Sequence, residues 1–417
     1  MKQTLELGFA KKGTTVTIDD KNLAAVLYPN KVEPKNYGVE EVRRSLREPI
    51  GKKRLSEYDL KGKKIVIVTS DISRPMPSYK VLPSLLEELT LAGAEDEKIT
   101  VVFALGSHRG HTEEEKRRLV SDEVYERVRC IDSDPERCVD LGKTSRGTPV
   151  EIFEEVANAD FRICLGNIEF HYFAGYSGGM KAIMPGVSNR NAIRANHSHM
   201  VEEGSFAGHL EGNPVREDIE EVYRFCPVDY IVNVVLDAHK EIIFSVAGDV
   251  VKAHRAGCRF LDTLYKVKIP KRADIVIVSA GGFPKDMNMY QAQKALDNAK
   301  HAVREGGIII WVASCSEGLG EKHFEAWMTG HEKSADMIPH IRRDFILGGH
   351  KAAAIAQVLQ KARILLVSDL PDDFARSVFM EPFPSADAAL REALDALGKE
   401  ASVYVMPYGG STLPSLE

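Results

Sequence analysis

The sequence is poor in the features that mark several classes of protein. It holds six cysteines in 417 residues, and no two stand as C-x-x-C. A chain this long with so few thiols does not read as a disulfide frame, and zinc's usual C-x-x-C and H-E-x-x-H spacings are missing. Cys164 and Cys315 sit in apolar runs and read as core thiols, so a reducing, cytoplasmic compartment is expected. No apolar run reaches the roughly 18 residues of a membrane helix. The N-terminus, MKQTLELGFAKKGTTVTIDD, lacks the apolar stretch of a signal peptide. Charge of one sign does not accumulate either: 55 Lys and Arg against 61 Asp and Glu leave a net charge of −6, with the signs interspersed. That argues against a nucleic-acid or membrane partner. There is no short internal repeat and no low-complexity tract.

What is present is an ordinary globular composition, 44% hydrophobic and 28% charged, long enough for two or three domains. Short β-branched runs alternate with amphipathic stretches. Residues 63–71, 98–108 and 160–171 read as buried strands, and 77–94 reads as a helix closed by Gly93. A helix at 112–120 opens on a capping box, Thr112 with Glu115. Residues 228–249 form a hairpin around Ala238–Lys240, and 250–267 a helix. The basic, proline-bearing stretch 268–273 reads as a linker. A second series of strands follows at 273–282, 306–315, 361–369 and 401–407, with helices at 288–303 and 385–398. The expectation is α/β: two doubly wound, Rossmann-like domains, 1–268 and 269–417, with the active site in the cleft between them and the C-terminal tail able to pack back on the first.

Three strands of the first series end in chemically able side chains: Asp71 and Arg74, His108 and Arg109, and His171. Ligands of open α/β sheets bind at the carboxyl ends of the strands, so these point at one pocket. Arg74 offers a rigid fork for a carboxylate or phosphate; the bland alternative is a local Asp71–Arg74 pair that orders the loop. His108 and His171 suit acid/base work near neutral pH, although single histidines more often serve the fold. The stretch GYSGGMKAIMPGVSNRNAIRANHSH (175–199) carries Lys181 and the pair His197, His199. It fails as a Walker loop, because Met180 stands where the second glycine is needed and Ala182 where Ser or Thr is needed. Lysine is usually a surface residue, but Lys181 has apolar neighbours able to desolvate it. The histidines lie on an expected helix capped by Ser188, where i and i+2 diverge, so at most one faces a given site. Tyr290, Gln291 and Lys294 open the helix at 288–303; Gln291 and Lys294 are i,i+3 neighbours able to reach one carboxylate, or else part of a solvated face. His254 and the glycines entering the helix after Gly348 have no nameable partner and are left to the fold.

Taken in order, D-x-x-R-P-x-P-S at 71–78, G-x-H-R at 106–109, His171 ahead of Lys181 in G-G-x-K-x-x-x-P-G, His197, and Y-Q-x-x-K at 290–294 resemble the nickel-pincer lactate racemase family of 2-hydroxyacid racemases and epimerases. The resemblance spans nearly the whole chain. It implies a nickel-bearing pyridinium-3,5-bisthiocarboxylic acid mononucleotide attached covalently through Lys181, with His197 as the one protein ligand to nickel and Asp71 and Arg74 in the cofactor-contacting loop. His199 would then only support. The glycines of 175–186 would let a bulky cofactor approach the backbone. It further implies racemisation or epimerisation of a short 2-hydroxy acid by reversible hydride transfer through a 2-keto acid. His108 and His171 would be the acid/bases, and Arg74, Tyr290, Gln291 and Lys294 would bind substrate. The partners implied are the small hydroxyacid and the enzymes that build the cofactor. Two other readings stand beside it: a conventional metal-dependent hydrolase using the same histidines, and a ligand-binding member of the fold without chemistry.

Overall fold

The computed structural model describes residues 1–417 and divides into two compact units, one of Val32–Asp262 and one of Met1–Lys31 with Thr263–Glu417. The expected boundary near 268 is close to the second break. The N-terminal 31 residues, however, belong with the C-terminal half, which corrects the assignment of 1–268 to a single domain.

In the unit Val32–Asp262, six strands form one sheet in the order Ile242–Gly248, Tyr230–Leu236, Phe161–Asn167, Ile65–Ser70, Ile99–Ala104, Arg129–Asp132. All neighbours are parallel except the hairpin of the first two, where Lys240 takes a positive φ of 64°. Alternate residues of the strands (Ile65, Ile67, Val101, Phe103, Ile163, Leu165, Val232, Val234) pack with Val42 and Leu46 of Gly38–Arg47 and with Val81, Leu82, Leu85 and Leu89 of Ser78–Leu91. The opposite residues, Val66, Val68, Val102 and Cys164, are fully buried as well. A sheet covered on both faces explains why these strands read as continuous apolar runs. From Ile65–Ser70 the chain winds outward through Ile99–Ala104 to Arg129–Asp132, then returns to the other side of Ile65–Ser70 as Phe161–Asn167. The switch point therefore lies between the carboxyl ends of Ile65–Ser70 and Phe161–Asn167, where doubly wound sheets bind ligands.

The other unit repeats the plan with six parallel strands in the order Glu381–Pro382, Ala362–Val367, Val303–Val312, Ala273–Ser279, Val403–Met406, Leu23–Val26. The edge strand Leu23–Val26 comes from the N-terminus, and the hairpin Lys2–Leu7 with Thr14–Asp19 buries Leu7, Val16 and Ile18 in the same core. The stretch expected to be a linker begins inside a strand: Lys266–Ile269 pairs in parallel with Leu413–Leu416, so the C-terminal tail stays in its own unit. All six cysteines are free, and no helix is long and apolar enough to cross a membrane.

Candidate active site

The loop after Ile65–Ser70 carries Asp71 and Arg74. Asp71 is buried and does not pair with Arg74. Its Oδ2 lies 2.6 Å from His108 Nδ1, and Ser73 Oγ donates to its Oδ1 at 2.8 Å. Burial alone would raise the Asp71 carboxyl; the bond from His108, with Ser73 and Arg74, overcomes it and holds the group below the ordinary carboxylate range. The carboxylate draws the imidazole proton onto Nδ1 and leaves a lone pair on His108 Nε2. Arg74 is exposed, and its guanidinium makes no hydrogen bond or ion pair within the protein. The second histidine of that motif, His111, is a brace. Its Nδ1 lies 2.6 Å from Asp132 Oδ1, and its Nε2 accepts from the Ile72 N–H at 3.0 Å, tying the Asp71 loop to the next strand. Arg109 is spent on an exposed pair with Glu115.

His171 sits past Phe161–Asn167 in a small antiparallel pairing, Phe170–His171 with Gly175–Tyr176. Its Nδ1 accepts from the Ala174 N–H at 3.2 Å, which puts the proton of the neutral ring on Nε2. Burial first, then the charges of Lys181, His197, Arg74 and Arg216, push it well below the ordinary histidine range, so it is neutral. The two candidate acid/bases thus present opposite faces: His108 an acceptor, His171 a donor.

Lys181 lies on the short 3-10 turn Gly179–Ala182. It is half-buried, and its amine makes no hydrogen bond or ion pair; it stands 6.0 Å from the centre of the Phe173 ring. Desolvation, then Arg216 and Arg74, push it well below the ordinary lysine range. The glycines before it serve the protein's own packing. At Gly178 (φ 76°) a Cβ would stand 2.8 Å from Asn233 Oδ1, and at Gly179 (φ 60°) 3.0 Å from the His254 ring. Asn233 Oδ1 accepts from the Gly179 N–H at 2.8 Å, and His254 Nε2 donates to the Ser177 carbonyl at 2.8 Å.

His197 and His199 do diverge. Both lie at the end of the helix Arg190–Ser198, which is capped by Asn189 accepting from the Ala192 N–H at 2.9 Å; Ser188, the expected cap, instead donates to the Ile183 carbonyl. His199 closes the helix and bonds Glu202 at 2.5 Å. His197 is buried edge-on to Phe173, ring centres 4.9 Å apart. Asn196 spends its amide hydrogens on the Val215 carbonyl and Asp218, so its Oδ1 accepts from His197 Nδ1 at 3.1 Å. Thr148 Oγ1 donates to the same Asp218 at 2.7 Å, and Thr144 donates to its other oxygen. This buried chain of bonds places a lone pair on His197 Nε2, the orientation that a metal-ligating histidine takes from its outer partners.

The structure thus gathers Asp71, Arg74, His108, His171, Lys181 and His197 in one unit, at the switch point expected of them. Phe173, 4.5 Å from the His171 ring centre, touches three of these groups and was not foreseen. Nor were Arg216, Asn233 or a working role for His254, because each meets backbone atoms that no motif encodes. Tyr290, Gln291 and Lys294 belong to the other unit, at the start of Met289–Ala299. Gln291 and Lys294 share one exposed face and their side chains have no partners. Tyr290 differs: its ring packs edge-on to Phe324 and under the Lys351 amine, 3.8 Å from the ring centre. No three His, Cys, Asp or Glu side chains are grouped so as to hold a metal ion by themselves, so a hydrolase built on His108, His171 and His197 as ligands lacks its donor set.

The model of the lactate racemase N-terminal domain matches residues 9–208, and that of the lactate racemase C-terminal domain matches residues 268–413. The lactate racemase of Lactiplantibacillus plantarum is 34% identical over 421 residues, covering 97% of this chain and 98% of that protein. The lactate racemase of Thermoanaerobacterium thermosaccharolyticum is 31% identical, covering 98% of each. The structure of the lactate racemase apoprotein from the latter organism superposes with a TM-score of 0.87 at 31% identity, over 99% of this chain and 100% of that one. A Thermotoga maritima protein, 18% identical with a TM-score of 0.61 over 93% of this chain and 100% of its own, shares the fold. Fold and relatives together define an isomerase of the racemase kind. The chain belongs to the lactate racemase family.

Proposed function

We propose that the chain racemises a short, lactate-like 2-hydroxycarboxylate with the aid of a nickel-bearing pyridinium-3,5-bisthiocarboxylic acid mononucleotide joined to Lys181. The observation that carries this reading is the amine of Lys181: half-buried, without a counter-ion, pushed by desolvation well below the ordinary lysine range, and against the same Phe173 ring as a histidine whose Nε2 lone pair is set by Asn196. A lysine whose amine is held more readily uncharged than usual suits a covalent attachment, and a single oriented imidazole suits a metal whose other donors come from the cofactor. When bound, such a group supplies a hydride acceptor for the substrate's α-hydrogen. This chain's residues do the rest. An imidazole cannot remove that α-hydrogen as a proton, because the acid is far too weak, but it can take the hydroxyl proton. In this reading His108 Nε2, with Asp71 behind it, accepts that proton, and the His171 Nε2–H hydrogen-bonds the same oxygen. For the opposite enantiomer His171 is the base, which requires its ring to shift the proton from Nε2 to Nδ1 and give up the bond from the Ala174 N–H. Arg74, exposed and unpaired, takes the substrate's carboxylate or polarises its oxygen. Tyr290 supports the start of the helix Met289–Ala299 through Lys351 and Phe324.

The test is the intact mass of the protein co-produced with enzymes that build the cofactor. An adduct of roughly one modified mononucleotide on Lys181 is expected, bearing sulfur and nickel, in protein that racemises lactate. Protein that racemises while wholly unmodified would sink the reading.

A further inference from the structure

Asn213 is wholly buried, and followed by Pro214 it has the look of a plain helix start, that of Pro214–Glu221. Its Oδ1 does cap that helix, accepting from the Arg216 N–H at 3.0 Å. That bond fixes which end of the amide is which, and turns the two hydrogens of Nδ2 on two carbonyls, Phe173 at 2.9 Å and His209 at 3.1 Å. The Phe173 carbonyl belongs to the same peptide group as the Ala174 N–H. The C=O and N–H of a trans peptide point in opposite directions, so a hold on one aims the other. Here the N–H is aimed at His171 Nδ1, 3.2 Å away. The carbonyls that follow are held by other groups: Ala174 by Arg216 Nε at 3.1 Å, Gly175 by the Gly208 N–H at 2.9 Å, and Tyr176 by Arg216 Nη2. They fix the loop around the Phe173–Ala174 peptide, and Asn213 fixes the peptide itself. Were that peptide to turn over, Asn213 would lose a buried acceptor and His171 Nδ1 would face a carbonyl, which asks for the ring proton on Nδ1. The orientation of one peptide therefore decides which nitrogen of His171 carries the proton.

We propose that Asn213 is a positioning residue for His171: through the Phe173–Ala174 peptide it holds the imidazole in its Nε2–H form, so that the ring meets a substrate as a hydrogen-bond donor and becomes a base only when the bond from Ala174 is given up. This rests on His171 being one of the acid/bases, but its test reads the ring itself and does not pass through racemisation. The unmodified protein is labelled with a nitrogen isotope in its histidine rings, and the protonated nitrogen of each ring is read by magnetic resonance from long-range proton–nitrogen correlations. The His171 signals are those missing from His171→Gln. In the wild type they are expected to show a protonated Nε2 and a bare Nδ1. Asn213→Ser keeps a good helix cap but brings no amide hydrogens to the two carbonyls. It should lose the pattern, the two nitrogen shifts converging as the two ring forms exchange, or trading places. Asn213→Asp, which keeps the size and the cap but has no donor, should do the same. A folded Asn213→Ser protein with the wild-type pattern overturns the proposal, because Asn213 would then be a helix cap alone. Should the variants fail to fold, the wild type decides: a His171 protonated on Nδ1 near neutral pH overturns the proposal, and one protonated on Nε2 supports it. The expected pattern in protein that never racemises lactate would count against the proposed function and leave the role of Asn213 standing.

Discussion

At the scale of single residues, the site is organised by partners that fix protons. Asp71 fixes the proton of His108, Asn196 that of His197, and the Ala174 N–H that of His171. The family resemblance puts Asp71 in contact with the cofactor, whereas the structure gives its carboxylate to His108, and the two roles separate on substitution. Asp71→Asn loses the charge that holds the Nδ1 proton in place. It is expected to lower kcat by ~10²-fold or more while leaving KM within a few-fold and the yield of Lys181 adduct intact. A loss of adduct at unchanged turnover of the modified fraction would return Asp71 to the cofactor. The sign of the pH effect follows from the depressed carboxyl. Its contribution to stability is full above the unfolded value of about 3.9 and is lost only as pH falls through the lower folded value. The Asp71–His108 pair should therefore survive any mildly acidic assay.

At the scale of elements, the strands and the loops that end them were legible because β-branched runs stop abruptly at Asp71, His108 and His171. Lys181 and His197 were legible as odd residues in a glycine-rich loop and a short helix. What stayed hidden is how the loop is held. His254 bonds the Ser177 carbonyl and Arg216 the carbonyls of Ala174 and Tyr176; backbone oxygens are alike at every position, so no spacing announces such partners. The packing role of the glycines stayed hidden for the same reason, since most of the atoms that crowd them come from Asn233 and His254, 54 or more residues away along the chain. Gly178→Ala tests this account. Its Cβ would meet Asn233 Oδ1 at 2.8 Å and Ile168 Cγ1 at 3.0 Å on a backbone (φ 76°, ψ −173°) that essentially only glycine adopts, whereas Gly62→Ala places a Cβ at positive φ (69°) with nothing within 4 Å. Gly62→Ala should cost about 1 kcal/mol and Gly178→Ala about 2–3 kcal/mol more, measured by denaturant unfolding. Equal losses would mean that the packing of Asn233 and His254 against the turn is not what requires glycine there.

At the scale of the whole molecule, the two doubly wound units were visible as two series of alternating strands and helices, but the path between them was not. A hairpin that pairs only with itself, Lys2–Leu7 with Thr14–Asp19, carries no mark of which core its apolar face covers. In the structure Leu7, Val16 and Ile18 are at most 2% exposed and pack with Ile275, Ile308 and Leu390, and Leu23–Val26 then extends the sheet beyond Val403–Met406. Removing residues 1–20 uncovers that face. Losing three large buried side chains costs on the order of 5–8 kcal/mol, against a typical domain stability of about 5–15 kcal/mol. The deletion should therefore unfold, or nearly unfold, the unit containing Thr263–Glu417 while leaving Val32–Asp262 folded, because the core of the latter draws no residue from the hairpin. Calorimetry should show one transition lost or moved far down in temperature and a second left in place, and limited proteolysis should leave a resistant fragment close to 32–262. If residues 1–20 instead belonged with the unit that follows them in sequence, the same deletion would destabilise the lysine-bearing half and spare the C-terminal one. That opposite pattern of protected fragments is what would refute the arrangement described here.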